Sequence, residues 1–212
     1  MKKALIVVDA QYDFMPVSEE DYKKGMGGAL AVKDGNQIVP VINDLLPKYD
    51  LVIFTKDWHQ PDNIYFAASH EEKEVFDQME INGKLETLWP IHCVQNTRGA
   101  DLHDDIDFSL IRGEFYIIKK GLGKDCHPYG GFGDKMEDTK LNDILNEKDI
   151  RALDIVGLAL DYCVKDTAID AANFGYDTTI FIEGTRAISE DLNETLLAFD
   201  WAGVKVEDLY DR

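Results

Sequence analysis

A cysteine placed where a predicted strand gives way to a helix is the residue of this sequence with the clearest chemistry. Cys163 lies in the run Ile155-Val-Gly-Leu-Ala-Leu-Asp-Tyr-Cys-Val-Lys-Asp-Thr-Ala168, in which an apolar strand ends and a helix is predicted to begin at the cysteine. The first turn of a helix presents unpaired N–H groups and the positive end of the peptide dipole, and both favour a thiolate. The position therefore predicts a nucleophile. The alternative is a buried structural cysteine, the commoner role for a cysteine considered alone.

Two charged residues follow other predicted strands and match the needs of a cysteine nucleophile. Asp9 comes after the first apolar run and Lys120 after the third. Ligands of open parallel sheets bind at the carboxyl ends of the strands, so we expect both side chains to meet Cys163. Asp9 would take the thiol proton and deliver it to a departing nitrogen, while Lys120 would keep Asp9 ionised. Together they predict a covalent amidase centre, although each residue alone is better explained as a solvated surface group.

A second group of residues has the composition of a metal site. Asp57 and His59 form an Asp-x-His pair after the second apolar run, and His92 follows further along the chain. A carboxylate and two imidazoles suit zinc, iron or manganese and leave positions open for water and substrate. The same spacing also occurs in ordinary turns. Cys93 is expected to pack without binding metal, and the remaining histidines are expected to be solvated: His70, His103 and His127.

The elements that would position these residues follow an alternating pattern. Six short apolar runs are continuous, which is typical of strands buried on both faces of a parallel sheet. Helical patterns lie between several of them. The sequence therefore predicts an α/β fold with a doubly wound, mainly parallel six-stranded sheet and helices on both faces. The runs are residues 4–8, 51–54, 115–118, 153–156, 178–182 and a weaker 204–206.

Capping residues predict where the helices begin and end. Asn36 and Thr139 are expected to cap the helices that follow them, and Ser189 is expected to open the last helix, which should end near Gly203. The helix that begins at Cys163 should end at Gly175. The segments 15–33 and 60–107 lack periodicity. Long loops in a compact domain are usually functional, so we expect these two segments to form a pocket wall and a lid.

Composition limits the class of protein. A chain of 212 residues suits one domain spanning 1–212. No run approaches the ~18 apolar residues of a membrane span, and the apolar run near the N-terminus is too short for a signal peptide. The formal net charge of −19 argues against nucleic acid and membrane surfaces as partners. Three scattered cysteines argue against a disulfide scaffold, so a cytoplasmic location is expected.

Several of these segments resemble motifs of the nicotinamidase/pyrazinamidase family, which belongs to the isochorismatase-like cysteine hydrolases. The resemblance extends over residues 3–206, with the blocks in family order, and implies an isochorismatase-like, Rossmann-type three-layer fold. Its most specific blocks are Trp-Pro-x-His-Cys-Val at 89–94 and Gly-x-Ala-x-Asp-Tyr-Cys-Val at 157–164. The other blocks are Asp9-Ala-Gln-Tyr-Asp-Phe14, Asp57-Trp-His59 and Lys120-Gly121.

The resemblance implies a function and a reaction centre. It implies a metal-dependent nicotinamidase that converts nicotinamide to nicotinate and ammonia through a cysteine thioester, as a step of NAD salvage, and that also accepts pyrazinamide. The catalytic triad carried over is Asp9, Lys120 and Cys163. The family has a cis peptide bond before the position of Ala159, so the amides of Ala159 and Cys163 would bind the oxyanion. Family members are often homo-oligomers, and an oligomer is therefore expected.

The resemblance also implies a cofactor and a substrate pocket. A divalent metal, zinc first, with iron or manganese as alternatives, would be bound by Asp57, His59 and His92. Phe14, Trp89 and Tyr129 would contact the aromatic ring of the substrate. Two departures from the family pattern concern this pocket: Asn63 stands where many members have a further metal-binding histidine, and the segment 122–128 differs from the family patterns.

Three other functions remain open at this point. The nearest is another amidohydrolase of the same superfamily, acting on a small carbamoyl or maleamate-like amide. A catalytically silent relative that binds a small ligand or a partner protein is the second. The third is a redox role for Cys163. The sequence argues against this role because no second cysteine lies at Cys-x-x-Cys spacing from Cys163.

Overall fold

The computed structural model describes residues 2–209 and has a six-stranded sheet at its centre. Strands are numbered along the chain as β1 (Lys3–Val8), β2 (Leu51–Asp57), β3 (Gln78–Ile81), β4 (Lys84–Thr87), β5 (Glu114–Lys120), β6 (Ala152–Leu158), β7 (Asp177–Arg186) and β8 (Lys205–Glu207). The sheet has the order β5-β2-β1-β6-β7-β8, and every neighbouring pair is parallel. The predicted α/β fold with six parallel strands is confirmed.

The sheet is buried on both faces, which explains why its central strands are continuously apolar. Along β1, Ala4 and Ile6 pack on one side and Leu5 and Val7 on the other, as the two-residue period of a strand requires. β2 and β6 are buried along their whole length. The apolar runs therefore reflect two hydrophobic cores, one on each side of the sheet.

Helices form the outer layers over these two cores. They are α1 (Glu19–Lys23), α2 (Ile38–Leu45), α3 (Leu141–Glu147), α4 (Lys165–Asn173) and α5 (Asn193–Ala202). Ile42 of α2 belongs to the core that contains Val7, whereas Leu145 of α3, Ala168 of α4 and Phe199 of α5 belong to the opposite core. The predicted helices on both faces are therefore present. Within residues 2–209, none of these helices has the length and hydropathy needed to cross a bilayer.

The predicted helix starts were less accurate than the predicted ends. Asn36 lies within a 3-10 turn, Gly35–Gln37, and α2 has no side-chain cap. The residue before α3 is Lys140 and not Thr139, although Thr139 Oγ1 accepts a hydrogen bond from the first amide of the helix at 3.4 Å. The last helix begins at Asn193, after a turn in which Ser189 bonds to Asp191. Gly175 and Gly203 follow their helices with positive φ, as predicted.

The segment 60–107, predicted as a loop, contains the antiparallel hairpin β3–β4. Asn82 and Gly83 connect its strands with φ of 53° and 78°. Two successive residues at positive φ form the tight turn for which Asn-Gly is the favoured sequence. The loop prediction was wrong here because it gave weight to missing apolar periodicity and none to this turn signal.

Two carboxylates one turn apart on α4 give a prediction for stability. Burial, together with the charge of Asp166, raises the pKa of Asp170 to about 6. The folded state thus prefers protonated Asp170, so stability falls as the pH rises from the unfolded carboxyl pKa of about 3.9 through this value. Asp170→Asn should raise the free energy of unfolding by about 1 kcal/mol at pH ~7.5, allowing for partial solvent exposure, and change little below pH ~4.

Urea unfolding at both pH values measures this difference. Asp143→Asn on α3 is a matched control, because that side chain is 72 % exposed. Its effect should stay within ~0.5 kcal/mol. If Asp170→Asn raised the free energy of unfolding equally at both pH values, the electrostatic explanation would be contradicted.

Candidate active site

The carboxyl ends of four adjacent strands bring the predicted site residues to one edge of the sheet. Lys120 ends β5, Asp57 ends β2, Asp9 follows β1 and Cys163 lies beyond β6. The four strands are consecutive in the sheet, and Asp57 pairs with Lys120 in the β2–β5 register. This edge is where an open parallel sheet binds its ligands.

Lys120 is fully buried and lies between the other two members of the predicted triad. Its Nζ is 3.0 Å from Asp9 Oδ2 and 3.5 Å from Cys163 Sγ. The same ammonium donates to Asp57 Oδ1. Burial alone would lower the pKa of Lys120, but the charges of Asp57 and Asp9 outweigh it and raise that pKa well above its usual value. The structure thus places a permanent positive charge against both carboxylates and the sulfur.

Burial sets the resting protonation state of Cys163. It raises the pKa of the Cys163 thiol well above the usual value; Lys120 opposes this effect, and Asp9 adds to it. Burial likewise raises the pKa of Asp9 against the charge of Lys120. The resting Cys163 side chain is therefore a neutral thiol, in place of the thiolate that the helix start predicted. A carboxylate oxygen of Asp9 lies within 4.8 Å of Cys163 Sγ, and a nearby proton acceptor is what nucleophilic attack from such a state requires.

Asp9 is fixed by a polar residue of the neighbouring strand. Thr55 Oγ1 donates to Asp9 Oδ1 at 2.7 Å and accepts from the Asp9 N–H at 3.2 Å. This pair of bonds leaves Oδ2 of Asp9 against Lys120. The sequence analysis did not single out Thr55. The available signal was a hydroxyl residue directly after the apolar run 51–54.

The backbone around Cys163 differs from the predicted helix start. Cys163 lies within a single π-helical turn, Leu160–Val164, and α4 begins only after it. Such turns are frequent at functional sites. The amides of Tyr162 and Val164 both donate to the Ala159 carbonyl. The peptide bond before Ala159 is cis, as the resemblance implies, and Ala159 and Cys163 line the same cavity.

The predicted metal-ligating residues also come together. Ligand atoms of Asp57, His59, His92 and His127 all lie within 4.8 Å of one another. Asp57 Oδ2 is 3.6 Å from His59 Nε2 and 3.9 Å from His92 Nε2. His59 Nε2 is buried and, within the described part of the chain, has no hydrogen-bond partner. A buried imidazole nitrogen without a partner, next to a carboxylate, fits a bound cation.

Backbone carbonyls orient the two predicted imidazoles. His59 Nδ1 is 3.2 Å from the Gly121 carbonyl, and His92 Nδ1 is 2.8 Å from the Pro90 carbonyl. Donation from Nδ1 leaves the lone pair of each ring on Nε2, which faces Asp57. Burial, with the neighbouring His59, lowers the pKa of His92 to about 4, so this ring is neutral near pH ~7. The imidazoles of His59 and His92 and the carboxylate of Asp57 thus offer the kind of donor set that binds a divalent metal ion.

Three further residues that the sequence analysis considered have different environments. His127, predicted to be solvated, is buried, and its ring stacks on His59 with a centroid distance of 4.5 Å. That prediction was wrong because the polar loop that carries it folds over the site. Asn63 donates to the carbonyls of Gly123 and Cys126, and its Oδ1 accepts from a backbone amide. Cys93 is buried in the core beside α2, as predicted.

The cavity beside Cys163 is narrow and lined largely by apolar and aromatic side chains. Phe14, Trp89 and Tyr129, the residues expected to contact substrate, line it, and Trp89 Nε1 donates to the Tyr129 hydroxyl at 3.0 Å. Asp57, His92 and His127 reach the same cavity. Its remaining lining side chains were not singled out from the sequence: Leu30, Tyr162 and Ile188. The cavity therefore presents aromatic walls beside the sulfur and the predicted metal-ligating residues, the kind of lining that contacts a small aromatic ring.

The whole chain resembles known proteins of one family. The sequence matches the isochorismatase domain over residues 3–200. The chain belongs to the isochorismatase domain family. It is similar to the nicotinamidase of Acinetobacter baylyi, with 38 % identity over 195 residues that span 91 % of this chain and 84 % of the relative.

Solved structures agree with this membership of the isochorismatase domain family. The yeast nicotinamidase Pnc1p has a TM-score of 0.86 and 34 % identity to this chain, over 97 % of this chain and 99 % of Pnc1p. A pyrazinamidase of Pyrococcus horikoshii in complex with zinc has a TM-score of 0.76 and 32 % identity, over 99 % of this chain and 100 % of that protein. Both likenesses extend over the sheet and the site.

Proposed function

We propose that this protein is a metal-dependent nicotinamidase, which hydrolyses nicotinamide to nicotinate and ammonia in NAD salvage and also accepts pyrazinamide. The observation that carries the proposal is the position of Cys163 Sγ, 3.5 Å from Lys120 Nζ, at an apolar cavity that the metal-ligand residues also line. The nicotinamidase at 38 % identity and the yeast nicotinamidase structure support the choice of substrate.

In the proposed reaction Cys163 attacks the carboxamide carbon while Asp9 accepts the thiol proton. The tetrahedral adduct places its negative oxygen at the amides of Ala159 and Cys163. Its collapse breaks the carbon–nitrogen bond, and Asp9 delivers the proton to the departing nitrogen, which leaves as ammonia. Asp9 next deprotonates a water that attacks the thioester, and the proton passes to Cys163 as nicotinate departs. Lys120 keeps Asp9 aimed at the sulfur throughout.

The substrate ring is proposed to lie between Phe14 and Trp89, beside Tyr129. Asp57, His59 and His92 would hold the metal. We infer zinc, because the donor set is rich in nitrogen and the Pyrococcus horikoshii relative binds zinc. When bound, the ion supplies a Lewis acid that can bind a ring nitrogen and thereby orient the carboxamide over Cys163.

Ammonia release is the direct test of this function. The zinc-loaded protein should release ammonia from nicotinamide, and removal of the metal with a chelator should reduce the rate more than tenfold, since changes in the outer shell of a metal site alone cost about 10–100-fold. Restoring zinc should restore the rate. Benzamide is the matched control substrate, because it has the same ring size and carboxamide without the ring nitrogen, and it should react much more slowly.

Two results would contradict the proposal. The first is no ammonia from nicotinamide with metal-replete protein. The second is equal turnover of benzamide and nicotinamide, which would remove the reason for a ring nitrogen at the metal and would favour an amidohydrolase of broader or different specificity.

A further inference from the structure

His127 is a buried histidine whose polar atoms have no use in the reaction described above. Both of its ring nitrogens are buried and lack a hydrogen-bond partner among residues 2–209. A buried polar group is normally paired, because it has lost its contacts with water. Most imidazoles in a protein interior satisfy at least one nitrogen with a carbonyl or a carboxylate, as His59 and His92 do here. The two free nitrogens of His127 therefore point to a missing partner.

The position of His127 identifies the class of that partner. A ring nitrogen of His127 lies within 4.8 Å of the ligand atoms of Asp57, His59 and His92. Its ring is parallel to that of His59 within 13°, and its centroid is 5.8 Å from that of His92. Three imidazoles and one carboxylate thus form one compact cluster of possible ligand atoms. A shared cation would satisfy Nε2 of His59 and the unprotonated ring nitrogen of His127 at once, whereas two lone pairs cannot hydrogen-bond to each other.

The loop that carries His127 is held in place on both sides of the residue. Asn63 Nδ2 donates to the carbonyl of Cys126 at 3.0 Å, and Lys120 Nζ donates to the carbonyl of Pro128 at 3.3 Å. The side chain of Asn63 is thereby turned to the loop backbone and away from a role as ligand. These bonds hold the peptide unit before His127 and the peptide unit after Pro128, and they keep the His127 ring over the metal-ligating cluster.

We propose that His127 is a fourth protein ligand of the metal, so that the metal site of this chain consists of Asp57, His59, His92 and His127. The inference deepens the proposed function, on whose three-residue metal site it rests. A fourth protein ligand leaves fewer coordination positions for water and substrate. A third imidazole also shifts the metal preference of the site further toward zinc, copper or nickel and away from magnesium or calcium, which favour oxygen donors.

Metal affinity measured without substrate tests this assignment. Zinc binding to the metal-free protein is followed by competition with a chromophoric chelator, for the parent, His127→Ala and His103→Ala. His127→Ala should bind zinc roughly 100-fold more weakly, at the upper end of what outer-shell changes cost. His103→Ala is the matched control, since His103 stacks on Tyr12 and lies outside the cluster. Its affinity should equal that of the parent.

The absorption spectrum of the cobalt-substituted protein adds a readout that depends on the ligand set. It should change in His127→Ala and stay unchanged in His103→Ala. Parent-like zinc affinity and an unchanged cobalt spectrum in His127→Ala would overturn the proposal. An inactive parent whose zinc affinity still depends on His127 would support this site and contradict the nicotinamidase function, so the two failures are distinguishable.

A crystal structure of the zinc-loaded parent decides the matter if His127→Ala does not fold. Anomalous scattering at the zinc edge locates the ion without any substitution. A His127 nitrogen about 2.0–2.1 Å from the ion is the expected result. A His127 ring whose nitrogens are both more than about 3 Å from the ion would overturn the proposal.

Discussion

Replacing Cys163 with alanine should abolish ammonia release from nicotinamide, with kcat reduced about 10⁴-fold or more, as for the loss of a catalytic nucleophile elsewhere. The physical reason is that no other thiol reaches the cavity: Cys93 lies in the core and Cys126 near Glu137, within the part of the chain that the structure describes. Binding of nicotinamide and zinc should persist, because the substitution leaves the aromatic walls and the metal ligands in place. Calorimetry and an ammonia assay on the same sample measure both quantities.

Cys126→Ser is the matched control for this prediction. Cys126 is also a buried free thiol, and serine keeps its polar contact with Glu137 Oε2. This variant should retain most of the parent activity. If Cys163→Ala turned over nicotinamide at the parent rate, the covalent mechanism would have to be abandoned, whatever the identity of the substrate.

The sequence was sufficient to predict the convergence of Asp9, Lys120 and Cys163. These residues are far apart in the chain, but each follows a buried apolar run, and parallel strands place their carboxyl ends at one edge of the sheet. The same reasoning located Asp57 and His59. What carries such a prediction is the geometry of the regular sheet, which depends little on the details of the loops.

The position of His127 depends on loop details, and the sequence analysis therefore missed it. Residues 122–128 have no apolar period, so their path is set by contacts with distant groups, such as the bonds from Asn63 to Gly123 and Cys126. Because His127 lies in a polar stretch of sequence, the sequence analysis predicted that its side chain would be exposed to solvent. A histidine between a cysteine and a proline, close after Lys120, was the only signal available, and it does not specify the direction of the ring.

The electrostatics of Cys163 show a second limit of sequence reasoning. The predicted helix start favoured a thiolate, yet Cys163 lies in a turn before α4, and burial raises the pKa of its thiol. A dipole effect of ~0.3–1 kcal/mol is small beside the desolvation of a fully buried group. The degree of burial depends on the packing of Leu160 and Val164 into the core, which becomes known only with the fold.

Lys120 is the residue whose replacement should affect both stability and activity. Its ammonium is buried between two carboxylates and is the counter-charge that both contact. In metal-free protein, Lys120→Met should lower the free energy of unfolding by about 3–5 kcal/mol, because Asp9 and Asp57 are left buried without compensation. Activity should fall roughly 10²–10⁴-fold, since Asp9 loses the group that keeps it ionised and directed.

Lys119→Met separates this effect from a general loss of charge or β-propensity on β5. Lys119 is the adjacent residue, is exposed, and has its Nζ 3.7 Å from the centre of the Trp58 ring. Lys119→Met should lower the free energy of unfolding by no more than about 1 kcal/mol, which is the contribution of an exposed cation–π contact. Saturating zinc provides a second comparison, because a bound cation neutralises Asp57 and leaves only Asp9 uncompensated. Urea unfolding with and without zinc should therefore show that Lys120→Met lowers the free energy of unfolding less in the metal-bound protein than in the metal-free protein. An equal decrease with and without zinc would mean that the ion does not bind at Asp57.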